Sequence, residues 1–301
     1  MLSDEVDPRF LTMMWTTGKT NLKLIGILAT VVVVCSLIAV VSLRNQSALS
    51  FSGLTSPGQD IISCRRKAIH AIITSNTDST RDTPALREAK KCWLESLVFY
   101  LSYPLDFGYG SHVIPFLASI WVTDGPILEM GSGWYSTPVA HRISILEHGR
   151  KLLTADTKYD WLKYFLVFAS NNHRLYYVRD GNNQQTADDV QVVNSWDDIG
   201  KQSEHWGMIF LDHAPGERRK VDLERLRGKA DLLVIHDSQP KAGRAYKSQK
   251  LLATFKHRTT FGPRWSNAYA DVVSDSRPDL IFIVNVLCRW SIEALKPLKG
   301  I

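Results

Sequence analysis

The chain has 301 residues, 45% hydrophobic, 22% charged and 10% aromatic, which excludes a disordered, collagen-like or disulfide-scaffold protein and suffices for a core that folds without staples. Lys and Arg number 36 against 30 Asp and Glu, a formal net charge of +6. This mild excess contains no clustered basic stripe, so nucleic acid is not an expected partner, while an anionic substrate or a membrane surface is compatible.

The first predicted element is a membrane anchor. Leu24 to Leu43 is 20 residues without a charge, and about 1.5 Å of rise per residue matches a hydrocarbon core of roughly 30 Å. Lys19 and Lys23 precede it and Arg44 follows, which favours a cytoplasmic tail over 1–23 and a type II, single-pass signal-anchor orientation. In a eukaryote that points to the Golgi or another secretory-pathway membrane. Residues 44–85 are rich in Ser and Thr and read as a stem with a short helix near Arg65 to Ile73. Cys64 and Cys92 are close enough in sequence to pair in an oxidising lumen, though spacing alone does not require it.

The remaining residues, 86–301, read as one catalytic domain. A helix with Leu86, Ala89, Trp93, Leu94 and Leu97 on one face opens it. From Gly125 short apolar runs alternate with helical segments. Strands are expected at Ile127–Met130, Lys151–Ala155, His173–Val178, Trp206–Leu211 and Ala230–Ile235, with helices at Thr137 to Leu146, Tyr159 to Ala169 and Arg218 to Arg227. The polar loop DGNNQQTADD breaks the rhythm after the third strand, and the apolar tail LIFIVNVLCRWSIEAL is ambiguous between strand and helix. Strands alternating with helices predict a doubly wound, mostly parallel α/β sheet with right-handed crossovers.

Four expected strands end in polar residues: Glu129, Asp156, Asp212 and His236-Asp237. In an open parallel sheet the carboxyl ends share one rim, and ligands bind where the strand order reverses. The first turn, Glu129-Met130-Gly131-Ser132-Gly133, lets the backbone bend tightly and approach a ligand at a helix N-terminus. A third glycine, which a dinucleotide site uses, is replaced by Ser136. An acid two residues before the first glycine suits a ligand with a cation near the turn. Asp156, at the end of the next strand, is placed to accept two ribose hydroxyls. S-adenosylmethionine meets both requirements.

These segments together, EMGSGWYST, Asp156 after a strand, IFLDHAPGERR and ADLLVIHDS, resemble the Rossmann-like class I S-adenosylmethionine-dependent methyltransferases over roughly residues 100 to 275. The DHAPG stretch is also similar to the D-A-P-x-G of Golgi glucuronoxylan O-methyltransferases, which carry an N-terminal span. The resemblance implies that Glu129, Gly131, Ser132 and Gly133 line the methionine side of the cofactor, that Asp156 binds its ribose, and that Asp180 sits near the adenine. Substrate would meet the methyl group near Asp212, His213, His236 and Asp237. Either His213 or His236 would then act as general base beside Asp212 on a glycan or small-metabolite oxygen. Alternatively, Asp212 and Asp237 would hold a divalent metal that acidifies the acceptor hydroxyl. Arg218 and its neighbour Arg219 would clamp an anionic substrate.

Each residue also has a plainer role: Asp156 and Asp212 as helix caps, the histidines as satisfied core residues, the arginines as a solvated helix start. Two competing functions follow. One is a nicotinamide-dependent oxidoreductase, disfavoured by the missing glycine. The other is an inactive Rossmann-like domain serving as an interaction module.

Overall fold

A computed structural model describes residues 57–75, 83–100, 112–146, 150–179, 190–262 and 268–295. The expected anchor and its tail, part of the stem, and Asp180 lie outside the described residues. Among the described residues, no helix is long and apolar enough to cross a membrane.

Among the described residues three helices precede the sheet: α1 (Pro57–Thr74), α2 (Pro84–Tyr100) and α3 (Val113–Val122). The helix expected near residue 65 is thus an 18-residue element, with Ala68 and Ile72 buried in the main core. A disulfide joins Cys64 of α1 to Cys92 of α2, their Cα atoms 6.0 Å apart. The alternating part follows: β1 (Ile127–Met130), α4 (Ser136–Leu146), β2 (Leu152–Asp156), then α5 (Tyr159–Leu162), which tightens into a 3₁₀ turn over Lys163–Phe168, and β3 (His173–Val178). Next come β4 (Gln191–Val193), α6 (Trp196–Ile199), β5 (Trp206–Leu211), α7 (Arg218–Arg225) and β6 (Ala230–His236). The chain closes with α8 (Pro240–Ala245), α9 (Gln249–Leu252), β7 (His257–Phe261), β8 (Ala270–Ser274) and α10 (Pro278–Leu295). The apolar tail is therefore a helix; Leu280, Ile283, Val284 and Leu287 recur at helical spacing on its buried side.

The eight strands among the described residues form one sheet in the order β4-β3-β2-β1-β5-β6-β8-β7. β1 to β6 pair in parallel, and β8 runs antiparallel to both β6 and β7. This is the expected mostly parallel, doubly wound sheet, with one reversed strand set between two others at the edge. Both faces are covered, as parallel strands require. Met208, Phe210, Leu232 and Val234 pack into the core on the α3 and α10 side, and their chain neighbours Ile209, Leu211, Leu233 and Ile235 into the core beneath α7. This alternation decides which residues at the rim can meet, because adjacent side chains point to opposite faces.

Candidate functional site

The chain leaves β1 toward β2 on one side and reaches β5 on the other, so the strand order reverses between β1 and β5. The turn after β1 is pinned across this reversal. Gly131 N–H donates to Ala155 O of β2 at 2.8 Å, and Asp212 N–H, just past β5, donates to Met130 O at 2.8 Å. Gly131 has φ +97°, and a Cβ there would lie 2.5 Å from the carbonyl carbon of Asp212 and 2.7 Å from His213 N. Both the left-handed backbone and the contact demand glycine. Gly131→Ala is expected to cost at least about 1–3 kcal/mol from backbone strain, measured by urea unfolding; an unchanged midpoint would show that the turn relaxes freely.

Behind the turn, Ser132 donates to Asp156 Oδ2 through both N–H and Oγ at 2.8 Å, and Lys158 N–H donates to Oδ1 at 2.8 Å. Burial raises the Asp156 carboxyl above its ordinary value, against the lowering bonds from Lys158 and Ser132. Trp161 Nε1 donates to Ser132 O at 2.6 Å. Trp134, half exposed, sits against Tyr164, Phe165 and Trp161 at ring-centroid distances of 5.0, 5.6 and 5.8 Å.

Glu129 has no solvent-exposed surface. Its carboxylate accepts from Thr137 Oγ1 at 2.9 Å and Thr154 Oγ1 at 2.7 Å, while Thr137 Oγ1 accepts from Gly133 N–H at 2.9 Å. Thr137, the second residue of α4, links the turn to Glu129. Burial pushes the Glu129 carboxyl up to about 7, against lowering bonds from Ser136, Thr154 and Thr137. Glu129 is therefore coupled to the turn through Thr137 and the Gly133 amide.

The two histidines left open by the sequence separate by strand parity. Asp212 and His236 point to the α3 face. His236 Nδ1 lies 2.9 Å from Asp212 Oδ1, and its ring centroid is 4.0 Å from that of His112. His236 Nε2 is buried and lacks a hydrogen-bond partner. Burial lowers the His236 pKa, but Asp212 and then Asp237 outweigh it, and the net direction is up. Asp212 goes down to about 2: desolvation raises it, and His236, Arg219 and His112 overcome that.

His213, one residue on, faces the other way. Its side chain is fully buried, its Nε2 lies 2.9 Å from Asp222 Oδ2, and its ring lies 4.3 Å from Trp196. Burial depresses its pKa, although Asp222 acts to raise it. It is a core histidine beneath α7, away from the Asp212–His236 pair. Arg218 belongs to the same network: its Nε donates to Asp222 at 3.0 Å and its Nη2 to Asp197. It ties α7 down and is not poised as a substrate clamp.

Arg219 does the joining at the rim. It donates to His213 O at 2.9 Å, Asp212 O at 3.0 Å, His236 O at 3.3 Å and Asp237 Oδ2 at 3.2 Å, and its Nη2 lies 3.0 Å from Asp212 Oδ1. Asp237 sits at φ 56°, in the left-handed region. The described residues contain one set of donors that converges as a metal site would: His112, Asp212 and His236, with ligand atoms all within 4.8 Å of one another. Asp237, the expected second ligand, is replaced in this set by His112. The orphaned His236 Nε2 fits a cation, while Asp212 Oδ1 already takes Arg219 Nη2 at 3.0 Å and His236 Nδ1 at 2.9 Å. His112, at the start of α3, follows a segment outside the described residues and had no motif to mark it.

No family model matches the chain, and no curated protein matches it in sequence. Among solved structures it is similar to the O-methyltransferase TomG from Streptomyces achromogenes in complex with SAM, at 14% identity and TM-score 0.40, covering 70% of this chain and 98% of that one. It is also similar to a methyltransferase from Geobacter sulfurreducens, at 15% identity and TM-score 0.37, covering 68% and 96%. A third is the human methyltransferase 10 domain containing protein, at 13% identity and TM-score 0.36, covering 74% and 99%.

Proposed function

We propose that the chain is an S-adenosylmethionine-dependent methyltransferase acting on an oxygen of a glycan or small metabolite. The observation that carries this reading is the contact between the glycine turn and the end of β5, where Gly131 packs on the Asp212 backbone at the strand-order reversal. A ligand held by the turn would lie beside the Asp212–His236 pair. Asp156 would take the ribose: a carboxylate has about four acceptor directions, and three donors occupy them. A ribose diol would use the remaining one and exchange with the Ser132 hydroxyl.

His236 is the general base in this reading. Asp212 accepts the Nδ1 proton, which fixes the tautomer and leaves Nε2 as the basic nitrogen. The bound cofactor supplies the activated methyl group; the protein aligns the acceptor oxygen with it, and Nε2 takes the acceptor's proton. Asp212 balances the resulting imidazolium. A divalent metal on His112, Asp212 and His236 is the second reading for this pocket, favoured by the convergence of those donors, and it would acidify the acceptor hydroxyl.

Calorimetry tests the cofactor. Micromolar S-adenosylhomocysteine binding is expected, and Asp156→Ala should weaken it by more than about tenfold, with His236→Gln leaving it near wild type. NAD(H) binding would instead indicate the oxidoreductase, and binding of neither would indicate the interaction module. We also read the protein as type II and single-pass, on the uncharged segment 24–43 and a Cys64–Cys92 disulfide of the kind that persists in oxidising compartments. Protease protection in sealed microsomes tests that orientation.

A further inference from the structure

A line of hydrogen bonds runs from Glu129 across three strands to a half-buried histidine. Glu129, Thr154 and His173 lie on one face of β1, β2 and β3, and Glu129 is in register with Thr154. Thr154 Oγ1 is 2.7 Å from Glu129 Oε2 and 2.9 Å from His173 Nε2, and His173 Nδ1 is 3.1 Å from His141 Nδ1 of α4. Glu129, Thr154 and His173 have no exposed surface. His141, stacked on Phe168 at 4.5 Å, is the member of the line that reaches water.

The directions of these bonds are coupled. An ionised Glu129 only accepts, so Thr154 gives it the hydroxyl proton and must accept from His173 Nε2–H. His173 Nδ1 then carries no proton and accepts from His141 Nδ1–H. A neutral Glu129 reverses the line: its proton goes to Thr154, Thr154 donates to His173 Nε2, and His173 Nδ1–H donates to His141. The two states differ by one proton and by the tautomer of both rings.

We propose that His173 and His141 are the proton exit of Glu129, through which the glycine turn takes up its cationic cofactor while one proton leaves at His141. This rests on the sulfonium reading above. The groups facing Glu129 explain the need. From β2 come Thr154 and the like charge Asp156, and from α4 Ser136 and Thr137, with His173 of β3 and then His141 of α4 lying beyond Thr154. None supplies a fixed cation. Burial holds His173 neutral, with its pKa down to about 3, so it passes a proton by exchanging tautomers and does not store one. As the cofactor's positive charge arrives, Glu129 gives its proton to Thr154, Thr154 passes its own to His173 Nε2, and His173 passes the Nδ1 proton to His141. His141 then loses its Nε2 proton to water. Every bond made is matched by one broken, and Glu129 is left ionised opposite the cofactor. His173 touches neither the turn nor its ligand and is a positioning residue.

Two measurements decide the proposal. In the ligand-free protein with ¹⁵N-labelled histidine, the His173 ring should switch from Nδ1–H to Nε2–H between about pH 5 and about pH 9, and Glu129→Gln should abolish the switch. One tautomer throughout in the wild type, or conversion to imidazolium, overturns it. Calorimetry with S-adenosylmethionine near pH 6, in buffers of different ionisation enthalpy, should show about one proton released per cofactor. Binding without proton release overturns the coupling. If S-adenosylmethionine does not bind at all, the cofactor reading fails, and the exit stands or falls on the tautomer measurement alone.

Discussion

Asp222→Ala is expected to destabilise the fold by about 3–5 kcal/mol, although Asp222 lies far from the glycine turn in sequence and takes no part in the proposed chemistry. Its carboxylate is buried and accepts from His213 Nε2 at 2.9 Å, Arg218 Nε at 3.0 Å, and Arg225 through Nε at 3.0 Å and Nη2 at 2.6 Å. Desolvation works against its charge, but His213 and the two arginines overcome this and hold its pKa down to about 2. Alanine would strand a buried imidazole and leave Arg218 and Arg225 with Asp197, which is half exposed and in a screened setting. At roughly 2–4 °C per kcal/mol for a domain of this size, the melting temperature should fall by roughly 10 °C. Well below the melting transition, S-adenosylhomocysteine affinity should stay near wild type. Lost affinity with unchanged melting would place Asp222 in the site after all.

Glu129→Gln should stabilise the protein relative to wild type at alkaline pH and not in acid. The carboxyl titrates near 4.5 in the unfolded chain and is raised to about 7 in the fold, principally by burial. Below 4.5 both states are protonated and the site has no penalty. Between 4.5 and about 7 the unfolded chain has released its proton and the folded one has not, so stability falls as pH rises. Above 7 the full penalty persists, on the order of 3 kcal/mol for a displacement of this size. Glutamine carries no charge and escapes it. Urea unfolding at about pH 5 and about pH 8 should show the gap between variant and wild type widening by nearly that amount. A gap that stays constant would mean that Glu129 ionises without cost in the fold.

The parallel sheet was legible because five of its strands are short apolar runs bounded by glycine or charge, and β1, β3 and β5 fall where the pattern puts them. β4 was not: Gln191–Val193 has only three residues, follows a polar loop, and is held by pairing with β3 rather than by its own propensity. The acids at the rim were legible as a class, since each lies at or within one residue of a strand end. Their orientations were not, because a residue one step past a strand end belongs to one face or the other according to register. His213 and His236 look alike in sequence, yet one is sealed under α7 and the other meets Asp212. Thr154 and His173 carried no signal, because their line exists only once β1, β2 and β3 are side by side. His112 reaches Asp212 and His236 from α3, about a hundred residues earlier in the chain.

Trp134 gives the protein an optical reporter of its own. The indole is half exposed, lies one residue beyond Gly133, and is ringed by Trp161, Tyr164 and Phe165. A ligand on the glycine turn is expected to displace water from that ring and so change its emission colour and intensity. Ligand uptake can therefore be followed by fluorescence without a label, and Trp134→Phe should silence most of the signal.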